Sequence, residues 1–141
     1  MKYYIITGNE GFSQSFDYDN NCEYFKYKDN DKNYNINSIV IKNNIEGTHL
    51  IESCSDGVIR IFNFNSGLLL SKIIISNTNL PLYGIRLWND DYLIVGCGEA
   101  IKIIELKNRL VIDSLTNHNN DILALKKLFI QNMENVSYLK I

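Results

Sequence analysis

The apolar residues of this chain fall in short blocks, and polar turns separate them at regular intervals. The stretch Thr48–Ile75, THLIESCSDGVIRIFNFNSGLLLSKIII, reads as strand, Asp-Gly turn, strand, Asn-Ser-Gly turn, strand. β-Branched and aromatic residues fill the runs, and Gly and Asn mark their ends. Asp91–Leu115, DYLIVGCGEAIKIIELKNRLVIDSL, has the same order, with an acidic turn at Glu99 and a polar turn at Lys107–Arg109. Lys2–Tyr27, KYYIITGNEGFSQSFDYDNNCEYFKY, repeats it again around Glu10-Gly11.

The repeats keep register. The acidic turns fall at Glu10, Asp56 and Glu99, steps of 46 and 43 residues. The strands that follow end at Phe16-Asp17, Phe62-Asn63 and Ile104-Glu105, with steps of 46 and 42 between the first residues. A further strand is expected before the second unit, at Ser38–Lys42, and before the third, at Leu82–Trp88. Ile122–Leu128, ILALKKL, is expected to open a fourth unit as a strand; its Ala, Leu and Lys also suit a helix, and the repeat register decides for strand. A four-stranded unit recurring every 40–45 residues or so is the signature of a β-propeller blade. The expected fold is therefore all-β, built of antiparallel four-stranded blades in a partial propeller. Its units are 1–30 (incomplete), 35–76, 80–116 and 121–141 (incomplete).

The motif SCSDGVIRIFN, Ser53–Asn63, resembles the turn Asp and following strand of the WD-repeat family, with Phe62-Asn63 in place of Trp-Asp. LTNHNNDILAL resembles that family's Gly-His dipeptide before an inner strand, here Asn117-His118. The resemblance covers nearly the whole chain, although no true Trp-Asp or Gly-His pair is present and Trp88 falls on an expected inner strand. It implies a non-enzymatic protein-interaction module or scaffold segment, and structural roles for Glu10, Phe16, Asp17, Asp56, Gly57, Phe62, Asn63, Glu99, Ile104 and His118. It also implies that each turn Asp accepts a hydrogen bond from a His of its own unit. Asp56 has Tyr34 where that His is expected, and the turn matching His118 would lie beyond Ile141, so the network is expected to be incomplete in every unit. The chain is expected to start and stop inside blades, and so to be a piece of a larger propeller or one that closes a ring with another chain.

Composition narrows the alternatives. The chain has 141 residues, room for one domain, and 45% are hydrophobic, enough to build a core. A net charge of −2 argues against nucleic-acid binding by bulk charge. No apolar run approaches the roughly 20 residues of a membrane span, and the N-terminus lacks a secretory apolar region. Three cysteines, an odd number at unrelated spacings, make no disulfide framework, which suggests reduced thiols and an intracellular, cytoplasmic setting, with the nucleus left open. The many Asn residues share A/T-rich codons with Ile, Lys and Tyr, and mark loops without implying chemistry.

Candidate chemistry is sparse. Asp17–Cys22 and Asp29–Tyr34 start like calcium loops, but Cys22 and Tyr34 stand where Gly is needed, and Lys28 and Val40 where Glu is needed. Cys54 and Cys97 occupy equivalent places before two acidic turns, as small buried residues would. No metal site, cofactor site or catalytic residue is expected. The alternative to an interaction module is an enzyme or small-ligand domain with a site near His118; no nucleophile motif accompanies that residue. Asn135-Val136-Ser137 fits a glycosylation sequon, which carries no weight without a signal peptide. Tyr3, Tyr4, Phe12, Tyr18, Tyr24, Phe25, Tyr27 and Tyr34 crowd the first quarter, either as strand formers or as a binding surface. The expected partners are other proteins or further blades, from another chain or by self-association.

Overall fold

A computed structural model describes residues 1–30 and 33–126. Those residues form eleven strands and no helix. β1 (Tyr4–Asn9), β2 (Phe12–Asp17) and β3 (Cys22–Tyr27) make a first antiparallel sheet. β4 (Ile36–Asn44), β5 (Gly47–Cys54), β6 (Val58–Asn63) and β7 (Leu69–Ile74) make a second. β8 (Leu82–Leu87), β9 (Tyr92–Cys97), β10 (Ala100–Glu105) and β11 (Leu110–Leu115) make a third. Each sheet runs in chain order, so every connection within it is a local hairpin. The strands β2, β6 and β10 end at the dipeptides that the repeat picks out.

The turns between equivalent strands explain the acidic positions. Gly11, Gly57 and Gly98 take φ of 79°, 78° and 55°, a left-handed backbone that glycine adopts without strain. In the third sheet the order is reversed: Gly98 makes the reversal and the exposed Glu99 follows it. Gly57 is doubly constrained, because a Cβ there would lie 2.9 Å from the Ser76 carbonyl oxygen. The other hairpin ends use Asx turns. Asn63 Oδ1 accepts from the Asn65 and Ser66 amides, and Asp17 Oδ1 from the Asp19 and Asn20 amides. Asp17–Cys22 is thus a hairpin turn.

The second sheet is the centre of a three-layer stack. Strand alternation sends Ile51, Ile59, Ile61 and Ile73 to one face, where they pack on Leu82, Ile85, Leu93, Val95 and Ile104 of the third sheet. Leu50, Phe62 and Leu69 point the other way, toward Tyr4, Ile6, Tyr24, Phe25 and Tyr27 of the first. Cys54 and Cys97 are buried free thiols at the ends of β5 and β9.

Two expectations need correction. Residues 121–126 form no strand; Ile122 and Leu125 are buried on the outer face of the third sheet with Ile94 and Ile101. The Ile122 amide donates to the Gly98 carbonyl, and among the described residues no adjacent strand offers the segment a ladder. Lys127 and Leu128, the sequon at Asn135 and the expected strand Val136–Ile141 lie outside the described residues. Trp88 also lies one residue past β8, where its amide bonds the Tyr92 carbonyl as the hairpin turns.

Candidate functional site

The interface between the first and second sheets holds the only fully buried charges among the described residues. Two neighbouring rows cross the second sheet on this face. Leu50, Phe62 and Leu69 form one, and Glu52, Arg60 and Lys72 form the next. The first row is covered by aromatic rings. Tyr27 meets Phe62 edge-on at 5.8 Å between centroids and stacks on Phe64 at 5.9 Å. Its hydroxyl donates to the Phe64 carbonyl at 2.8 Å and lies 2.9 Å from the Ser15 hydroxyl. Burial pushes the Tyr27 phenol up to about 12, so it remains a neutral hydrogen-bonding group.

Arg60 is the hub of the second row. Its guanidinium donates to Asp56 through both terminal nitrogens, at 3.0 and 2.6 Å, and to Asp29 through Nε at 2.8 Å. The Tyr34 ring covers its face at 3.6 Å, and Lys72 reaches Asp29 at 2.7 Å. Burial alone would lower the Arg60 pKa, but the carboxylates of Asp56 and Asp29 raise it. The planar fork of arginine suits this mixture of bidentate pairing and stacking, which lysine could not reproduce. Asp29 and Tyr34, the ends of the second calcium-loop-like stretch, are thus drawn into an ion cluster. Tyr34 stands where a His is expected; its ring covers Arg60 and its hydroxyl accepts from the Asp29 amide.

Glu52 sits beside this cluster with no solvent exposure, and among the described residues neither carboxylate oxygen accepts a hydrogen bond. Burial raises its pKa to about 7, against the opposing influence of the nearby Ser13 hydroxyl and of Arg60. Ser13 is likewise fully buried, and its hydroxyl has no bond of good geometry. Two anions already face the two cations of the cluster, so an ionised Glu52 adds an uncompensated buried charge. Glu52 therefore keeps its proton in mildly acidic solution, well above the ordinary carboxylate range, and gives it up as pH rises through about 7. Cys54, two residues further along β5, is also pushed up to about 12 by burial and by Glu52, which keeps it a neutral thiol.

The positions singled out in the sequence are scattered through the sheets. Asp56 joins the ion cluster, Phe62 is fully buried in the aromatic row, and Ile104 is buried in the aliphatic core. Glu10 pairs with Asn35 in an isolated bridge, Phe16 lies in the β2 ladder opposite Ile5 and Glu23, and Gly57 and Asn63 shape hairpins. Asp17 closes its own turn, and Glu99 is exposed. His118 is half-buried and lines none of three surface cavities of about 590, 350 and 160 Å³. Of the crowded aromatics, Tyr4, Tyr24, Phe25, Tyr27 and Tyr34 pack between sheets; Tyr3 and Tyr18 are exposed. Sequence reasoning missed Arg60, Asp29 and Glu52. A signal existed: Glu52 and Arg60 are placed symmetrically about the Asp-Gly turn, each on the apolar parity of its strand.

Among the described residues, no group of His, Cys, Asp and Glu could hold a metal ion, and no helix is long and apolar enough to cross a membrane.

No family model matches this chain. No curated protein matches it either. Solved structures do. The crystal structure of the computationally designed Ika4 protein superposes with a TM-score of 0.72 at 12% identity, covering 92% of this chain and 76% of that one. The computationally designed Ika8 protein gives the same TM-score and identity, over 92% of this chain and 38% of its own. At such identity the likeness is one of fold: an all-β arrangement of antiparallel sheets.

Proposed function

We propose that the three sheets are successive blades of a partial β-propeller similar to the WD-repeat family, and that the chain is a non-enzymatic interaction module. The observation that carries this reading is the repeated strand order. β4–β7 and β8–β11 each run in sequence across a four-stranded sheet, and they stack face to face, as successive blades do. The likeness to Ika4 and Ika8 fits the same reading, since one three-sheet unit matches two chains of which one is about twice the other's length.

A propeller of this kind offers its loop ends to partners. The end carrying the β4–β5 turn has the strongest candidate contact, Ile45, whose side chain is fully exposed. Beside that turn, Glu46, Lys42, His49, Leu70 and Arg109 line the groove of about 160 Å³ between the second and third sheets. An apolar anchor beside a mixed polar rim is the anatomy of a protein-binding hot spot. The test is recovery of partner proteins on the immobilised chain, with Ile45→Asp as the comparison and unfolding measured on both. The reading expects a partner retained by the native chain and lost by a variant of unchanged stability. Equal capture by both would contradict it at this end of the fold.

A further inference from the structure

Among the described residues, the stack contains a sheet without its first strand and a first strand without its sheet. The hairpins β1–β2, β5–β6 and β9–β10 are equivalent, each turning at a positive-φ glycine. β5 and β9 are each paired on their other edge, with β4 and β8. β1 has no such neighbour among the described residues, so the first sheet has three strands.

The missing element has a counterpart at the far end. Gly8 of β1 lies against β4: a Cβ there would meet Ile36 Cγ2 at 3.0 Å. Ser53 of β5 lies against β8, its hydroxyl donating to the Tyr83 carbonyl. Gly96 of β9 lies against Ile122, and Gly84 against Ala124, whose Cα would be 2.9 Å from a Cβ. Residues 121–126 therefore take, on the third sheet, the place that β4 takes on the first and β8 on the second. They are a first strand in position, and among the described residues no second strand pairs with them. Within one copy they cannot serve β1, because the second and third sheets stand between; at about 10 Å per packed layer the gap is on the order of 20–30 Å.

We propose that residues 121–126 of one copy add to the free edge of β1 in a second copy, and that two copies close reciprocally. This rests on the propeller reading above. Each copy contributes three sheets, so two copies make six, within the 4–8 blades or so of a closed propeller. Strand addition supplies main-chain hydrogen bonds to both partners and removes the exposed edge. The exposed apolar side chains match as well: Ile5 of β1 is 51% exposed and Leu123 is 68% exposed, and pairing would cover both. A third copy would give nine sheets, outside the usual range, which favours the reciprocal dimer.

The test is the solution mass of the 141-residue chain by sedimentation, alone and as Ile5→Lys and Leu123→Lys variants. Both side chains are exposed, so neither change disturbs the fold of a single copy. The proposal expects twice the chain mass for the native protein and single-chain mass for each variant alone. It also expects renewed dimer on mixing the two, because one contact of the mixed pair is then native. A native monomer, or a dimer that both variants leave intact, overturns it. Nuclear Overhauser contacts between β4 and β8 in the same samples separate the two ideas. If they persist in a monomer, only the closure fails; if they are missing, the stacked-blade reading fails too.

Discussion

The second sheet meets its two neighbours by different means. Toward the third sheet it presents Ile51, Ile59, Ile61 and Ile73, which pack on Leu82, Ile85, Leu93, Val95 and Ile104, and the hydrogen bonds there from Ser53 and Asn37 to carbonyls of β8 are uncharged. Toward the first it presents one aromatic row and one charged row, in which Arg60 joins Asp29 and Asp56 while Glu52 stays unpaired. An aliphatic interface depends on area and volume and tolerates repacking. A charged one depends on geometry, because each group that loses its partner leaves an uncompensated charge in a dry place. The contrast gives the two interfaces different sensitivities to mutation and to pH.

The largest effect is expected at the hub. Arg60→Ala should cost on the order of 3–5 kcal/mol in a urea titration, because Asp56 and Asp29 lose their shared partner. A cost below about 1 kcal/mol would mean that the ion cluster does not hold the interface. On the aliphatic side, Leu93→Ala removes a fully buried side chain and should cost about 3 kcal/mol, the same at pH 6 and pH 8. A pH-dependent cost there would blur the contrast.

Glu52→Gln sharpens it in the opposite direction. The folded pKa of Glu52, about 7, lies above its ordinary value of 4.5, so the native state binds the proton more tightly than the unfolded chain. Stability from this group is complete below about pH 4.5 and is lost as pH rises toward 7. The loss is on the order of 3 kcal/mol, and the amide removes it. Glu52→Gln should therefore be stabilising at pH 8 and nearly neutral at pH 5; equal effects at both values would show that Glu52 does not titrate as described. The smallest change is Tyr27→Phe, which withdraws the hydroxyl from the Phe64 carbonyl and Ser15 and should cost about 1–2 kcal/mol by thermal unfolding.

The repeat was legible because turns and strand ends are local. Asp56-Gly57 and Phe62-Asn63 announce a hairpin from their own conformational preferences, and the same signals recur at Glu10 and Phe16. The ion cluster was not legible, because it is a property of register between sheets. Asp29 lies in a connector that looks like any solvated loop, and only the stacking of the first sheet on the second brings it to Arg60. The order of Gly98 and Glu99 shows a further limit: an acidic turn can be recognised without revealing which residue makes the bend. Ile122–Lys126 has the apolar content of a strand, but a strand also needs a neighbour, and among the described residues none pairs with it.

Native-state hydrogen exchange, corrected for intrinsic rates, at pH 5.5 and pH 8 tests the contrast most directly. Amides of β1–β3 should lose protection at the higher pH as Glu52 ionises against them, while amides of β8–β10 keep theirs. Equal loss in both sets, or no loss in either, would contradict the division of the molecule into a charge-built and an aliphatic interface.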